Sequence, residues 1–254
     1  MTSFSRIHHL LEHHASHAPD ATALVTATTG ETSFAQWRDN ACQLARKLAA
    51  NGVRPGHRLM LVAENSCTLA CGLMAASLLD AWAIPANARL SSHEIDAINE
   101  HAQPAAIVFT SSVSQEAERH ALRFKAHEIL VGPEQAMLAS FNHTTAEPVE
   151  NGQQDVAVLL YTTGTTGDPK AVMLSHGNLL AAGQMSADHR GILREDHVYG
   201  VLPLTHVFGL SSVFMAALSA GARFELVPRF DANATFSALQ DKVSIFPAVP
   251  QMHA

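Results

Sequence analysis

The sequence predicts an α/β fold, with parallel β-sheets flanked by helices. Three observations carry that reading. Amphipathic stretches of helical length alternate along the chain with short apolar runs, the pattern of strand–helix–strand units. Hydrophobic residues make up 47% and charged residues 15% of the 254 residues, which suits a soluble globular protein and argues against disorder. A Gly/Thr-rich loop at 162–170 separates two apolar runs of β type.

Helical patterns fall at 7–17, 34–51, 66–79, 91–101, 115–124, 177–189, 208–220 and 231–242. Ser91 with Glu94 gives a capping-box signal at the start of one of them. Short apolar runs lie between, at 58–63, 105–110, 128–131, 157–161, 197–201, 223–227 and 243–246, and residues 171–175 also read as a strand. The weakest pattern, 134–154, reads as a surface connection. The apolar stretches 69–79 and 207–222 both fall short of a membrane-spanning helix and read as core helices.

Composition narrows the function. The net charge is −7, so a nucleic-acid partner has no electrostatic support. The N-terminus lacks the apolar segment of a signal peptide. Cys42, Cys67 and Cys71 form no CxxC pair and read as reduced thiols of a cytoplasmic protein. His8, His9, His13, His14 and His17 crowd the first helix, with i, i+4 spacing at His9–His13 and His13–His17. No HExxH pattern or cysteine accompanies them, so the helix reads as solvated and amphipathic, and no metal site is assigned.

The chemistry concentrates in 159–179, LLYTTGTTGDPKAVMLSHGNL. Gly164 and Gly167 permit backbone shapes that aim several N–H groups into one concavity. Thr162, Thr163, Thr165 and Thr166 add hydroxyls, and Lys170 adds a mobile positive charge. This is not a Walker A loop, because Pro169 stands where Gly must precede Lys and a strand follows Lys170. Composition alone leaves two readings open: a phosphate cradle held by loop amides, or a hairpin connection without a ligand.

The segment resembles the signature loop of adenylate-forming enzymes, the AMP-dependent synthetases and ligases, and most of all acyl-CoA synthetases. Their loop reads Tyr-Thr-Ser-Gly-Thr-Thr-Gly-x-Pro-Lys-Gly-Val. Tyr161, Thr162, Gly164, Thr165, Thr166, Gly167, Pro169, Lys170 and Val172 match; Thr163 replaces Ser and Ala171 replaces Gly. Ser175, His176, Asn178 and Leu179 continue the match. Segments 44–66, 78–95, 202–210 (LPLTHVFGL) and 228–254 resemble further family blocks, so the likeness runs through nearly the whole chain.

The resemblance implies that residues 1–254 form the N-terminal part of the large AMP-binding domain, as two interleaved αβ subdomains without the small C-terminal domain. The family's later blocks, including its Glu ligand for Mg²⁺, have no counterpart in this sequence. It implies ATP, Mg²⁺ and coenzyme A as cofactors and a fatty or aromatic carboxylic acid as substrate. Thr162, Thr163, Gly164, Thr165, Thr166, Gly167 and Lys170 would grip the nucleotide phosphates. Lys170 and His206 would be catalytic, His206 lying beside the reacting carboxylate. Phe208 and Gly209 would shape that pocket, and Val249, Pro250 and Met252 its acyl end. No acid near 204–209 is available for a substrate ammonium, which disfavours an amino-acid substrate. The chain alone is expected to be inactive and prone to self-association. The alternative is a non-catalytic or split-subunit nucleotide-binding protein.

Overall fold

The computed structural model describes residues 4–142, 144–162, 169–241 and 243–253, with Thr162 and His253 described by backbone alone. Its strands are β1 (Thr22–Thr26), β2 (Gly30–Ser33), β3 (Arg58–Ala63), β4 (Trp82–Asn87), β5 (Ala106–Phe109), β6 (His127–Val131), β7 (Glu134–Ser140), β8 (Val156–Thr162), β9 (Lys170–Ser175), β10 (His197–Gly200) and β11 (Arg223–Leu226). Its α-helices are α1 (His8–His17), α2 (Phe34–Ala50), α3 (Cys67–Leu78), α4 (Ser92–Ala102), α5 (Gln115–Arg123), α6 (His176–Arg190), α7 (Met215–Ala220), α8 (Ala232–Asp241) and α9 (Pro250–His253).

The strands form two sheets, ordered β6-β7-β5-β3-β4-β8-β9 and β10-β11-β1-β2. The interiors are parallel as expected: β5-β3-β4-β8 in the larger sheet and β10-β11-β1 in the smaller. The margins are antiparallel, at β5-β7-β6, β8-β9 and β1-β2. The connections explain the difference. Parallel neighbours need a long crossover, whereas Gly132-Pro133 is all that joins β6 to β7, so that pair must turn back on itself.

Strand β3 shows how the core is built. All six of its residues are buried, and alternate side chains enter different cores. Leu59, Leu61 and Ala63 join the larger core with α1, α2, α3 and the smaller sheet. Met60 and Val62 join Ile84, Ile107 and Phe109 beneath α4 and α5. Helix α3 is apolar on all sides, the pattern of a helix enclosed by protein. A Cβ on its Gly72 would come within 2.7 Å of Leu61 Cδ2, so glycine here leaves room for the buried Leu61 side chain against the helix.

The segment 134–154 departs from its expected role as a surface connection. Its first residues form β7, and buried Glu134 caps α3. The Glu134 carboxylate accepts from Cys67 N (3.1 Å), Thr68 N (2.7 Å) and Thr68 Oγ1 (2.8 Å), placing negative charge at the helix's positive end. The expected strand at 243–246 is reduced to one parallel bridge, Val198↔Ile245. The expected helix at 208–220 opens as a π-helix, Phe208–Phe214, and continues as α7. Helix α1 is less solvated than expected. Leu10, Leu11 and Ala15 are buried, His8 Nδ1 meets Ser77 Oγ at 2.8 Å, and His14 Nε2 donates to Leu218 O. Burial, followed by the charges of His9 and Arg6, pushes His8 down to about 4. Cys67 and Cys71 are buried and Cys42 is half-buried, all unbridged. The hydrogen bond to Cys67, followed by burial, holds the Cys71 thiol well above its ordinary value.

Candidate functional site

Strands β8 and β9 form a hairpin in antiparallel register, with Tyr161 opposite Ala171 and Thr162 opposite Lys170. That last pair closes the base of the Gly/Thr loop. Lys170 therefore sits at the neck of the loop on an exposed position, with a strand after it as the sequence predicted. Thr163, Gly164, Thr165, Thr166 and Gly167 lie outside the described residues. On the far side of the hairpin, Ser175 caps α6, with the Asn178 amide reaching back to complete a capping box. His176 is buried there and accepts a hydrogen bond from Ile7 N. Burial, followed by the Arg6 charge, lowers His176 to about 3, so the ring is neutral at ordinary pH.

A cavity of about 570 Å³ opens beside this hairpin. Tyr161 reaches it from β8, Asn87 from the end of β4, and Ile98 from α4. Opposite them stand His206, Phe208 and Gly209. The carboxyl ends of β4 and β8 are where ligands bind in α/β folds, because crossovers leave a crevice there. No carboxylate is among the described residues lining the cavity.

The loop carrying His206 is held by one buried side chain that sequence reasoning missed. Asn65 follows β3 and is only 3% exposed. Its Nδ2 donates to Gly200 O and Leu202 O, each at 2.9 Å, and its Oδ1 accepts from Leu204 N at 2.9 Å. An amide is the side chain that can donate twice and accept in one place, so every bond points into the segment before His206. Nothing local marks Asn65, because its partners lie more than 130 residues away in the chain.

Further contacts set the rest of the wall. Phe208 N donates to His206 Nδ1 at 3.2 Å, which occupies that nitrogen and gives the ring a preferred orientation. The Arg190 guanidinium lies 5.8 Å from the Phe208 ring centroid and donates to Ser212 O. Gly209 is required by space, since a Cβ there would lie 2.2 Å from Pro203 O. Tyr161 Oη pairs with His101 Nδ1 at 2.7 Å, tying the start of the loop to α4.

The structure thus brings His206, Phe208, Gly209 and Val249 to one cavity. Pro250 and Met252 do not line it: Pro250 is exposed at the start of α9, and Met252 packs on the larger core. In a four-residue helix, neighbouring side chains diverge by about 100°, so Val249 and the residues after it need not face one pocket.

Comparison with known proteins fits this geometry. The family model for AMP-binding enzymes matches residues 11–254. An indoleacetate–CoA ligase of Aromatoleum aromaticum is 32% identical over 249 residues, covering 94% of this chain and 49% of the relative. A long-chain-fatty-acid–CoA ligase of Mycobacterium tuberculosis is 28% identical over 95% of this chain and 49% of its own length. The chain spans about half the length of these curated relatives. Among solved structures, apo MatB from Rhodopseudomonas palustris has a TM-score of 0.79 at 23% identity, over 98% of this chain and 50% of that one. The inhibitor-bound N-terminal domain of FACL13 from Mycobacterium tuberculosis has a TM-score of 0.79 at 24% identity, over 98% and 64%. At these identities the two structures speak for the fold. No helix among the described residues is long and apolar enough to cross a membrane.

Proposed function

This chain belongs to the AMP-binding enzyme family, and on that premise we propose that it carries the phosphate-loop half of a ligase that activates a carboxylic acid with ATP. The carboxylate attacks the α-phosphorus, forming an acyl-adenylate and releasing pyrophosphate. The coenzyme A thiol then attacks the acyl carbon, forming the thioester and releasing AMP. The observation that carries this reading is the convergence of the β8–β9 hairpin and the His206 loop on one cavity. Tyr161, which precedes the Gly/Thr loop, lines that cavity, and this supports a phosphate grip beside a pocket for an acyl group.

In this reading residues 162–167 and Lys170 bind the β- and γ-phosphates, and Lys170 offsets charge building on the leaving pyrophosphate. His206 orients the carboxylate at the cavity mouth, and Phe208 and Gly209 shape the wall. Val249 borders the acyl end, with Pro250 and Met252 supporting it from α9. No acid is among the described residues lining the cavity, which supports a fatty or aromatic acid over an amino acid. Its described lining holds no carboxylate for Mg²⁺, which would enter bound to the nucleotide.

In this reading the chain forms part of the large AMP-binding domain of a cytoplasmic ligase. Exposed Val172 and Met173 on β9 and Phe236 and Leu239 on α8 support self-association, which sedimentation at increasing concentration would detect. The decisive experiment measures ATP binding to the chain and adenylate formation by the full-length protein, each with Lys170→Ala and His206→Ala. Lys170→Ala should weaken ATP binding, and His206→Ala should impair adenylation with fatty or aromatic acids while ATP still binds. Unchanged ATP binding in Lys170→Ala, or turnover confined to amino acids, would overturn the proposal.

A further inference from the structure

At the start of α1, His8, His9 and Glu12 each bring one donor atom into a group whose members lie within 4.8 Å of one another. This is not the His9–His13–His17 spacing that the sequence suggests. Helix geometry alone does not gather adjacent histidines, whose side chains diverge by about 100°. Two serines help to bring them together. His8 Nδ1 lies 2.8 Å from Ser77 Oγ on α3, and His9 Nδ1 lies 3.3 Å from Ser5 Oγ. The ring centroids are consequently only 4.4 Å apart. A hydroxyl at Nδ1 fixes ring orientation and leaves Nε2 as the nitrogen for a ligand, the usual outer-shell arrangement around ligating histidines.

The nearby Arg6 guanidinium is engaged by two carboxylates, Asp80 Oδ1 at 2.9 Å and Asp155 Oδ2 at 3.2 Å. Glu12 is exposed and free to rotate. Metal–nitrogen bonds of about 2.0–2.1 Å in a tetrahedron set donors roughly 3.4 Å apart, so rotating Glu12 and a small ring movement would close the group. Two imidazoles with one carboxylate select a borderline-soft ion over Mg²⁺ or Ca²⁺, which take oxygen ligands.

We propose that His8, His9 and Glu12 bind a divalent cation of the zinc class, with water in the fourth position. Through Ser77 the bound ion would fasten α1 to α3. The test uses the untagged chain, titrated with Co²⁺ by visible absorption and with Zn²⁺ by competition, alongside melting temperature. One tight ion per chain is expected, with Zn²⁺ raising the melting temperature. Glu12→Gln and His9→Ala should each weaken Zn²⁺ by at least about tenfold, while His13→Ala leaves it unchanged. Glu12 is exposed, so its substitution reads the ion rather than the fold. No tight ion in the parent chain, equal affinity in Glu12→Gln and His9→Ala, or an equal loss in His13→Ala would overturn the site.

Discussion

Strands β3 and β9 look alike in sequence, RLMLVA against KAVMLS, yet they have opposite fates. Every residue of β3 is buried, whereas on β9 Val172 is 50% and Met173 63% exposed. Their neighbours make the difference. Strand β3 pairs with β4 on one side and β5 on the other, and both its faces are covered. Strand β9 pairs with β8 alone, at the margin of the sheet. Apolarity selects the strand; its rank in the sheet decides how much water it loses. The candidate site uses both kinds of position. Rigid β3 delivers Asn65, and the marginal β9 delivers Lys170, where local opening costs least.

The comparison breaks first at its buried end. Leu61→Ala should cost about 3 kcal/mol, because it removes buried methyl groups and leaves a cavity against Gly72 that α3 cannot fully close. Urea unfolding gives the number, and a loss under about 1 kcal/mol would show that β3 repacks freely. Glu134→Gln should cost about 2 kcal/mol by weakening the charged cap that fixes α3 beside β3.

A smaller effect belongs to the capping box of α4. Ser91→Ala should cost about 1 kcal/mol by thermal unfolding at neutral pH. The Ser91 hydroxyl and amide hold the Glu94 carboxyl below its usual value. The unfolded chain therefore takes up that proton first, and the cap's contribution is full above the ordinary carboxylate range and lost as pH falls through the lowered value. The gap between parent and Ser91→Ala should accordingly narrow in acid. Met173→Ala comes last, with a change within about 0.5 kcal/mol, because the side chain remains largely in water. A large loss there would mean that β9 is covered in solution, which would sharpen the case for self-association.

Much of this was legible in the sequence, for reasons that particular residues show. Amphipathic helices announced themselves, and the Ser91–Glu94 box forms as its spacing requires. The β8–β9 hairpin was legible because two apolar runs bracket a loop of turn residues. Strand β4 escaped notice because Pro85 breaks its pattern. Among the described residues the ladder to β8 is Ala83↔Val158, so the missing Pro85 N–H leaves little of that ladder undone. Strand β7 was hidden by polar Glu134 and Gln135, although Glu134 is buried for its capping role. His206, Phe208 and Gly209, which line the cavity, stand in a motif that can be read locally, whereas Asn65 depends on pairing across the fold and carries no local signal.

The three bonds of Asn65 have a kinetic consequence. The Leu204 amide belongs to no helix or strand, and such amides normally trade their protons with solvent quickly. Here the proton is locked to a side chain rooted at the end of the central strand, in a residue that is 0% exposed. It can escape only when the interior itself opens. In deuterated water the Leu204 amide should outlast those of the surrounding turn and keep pace with β3, making one loop proton a clock for the unfolding of the whole core.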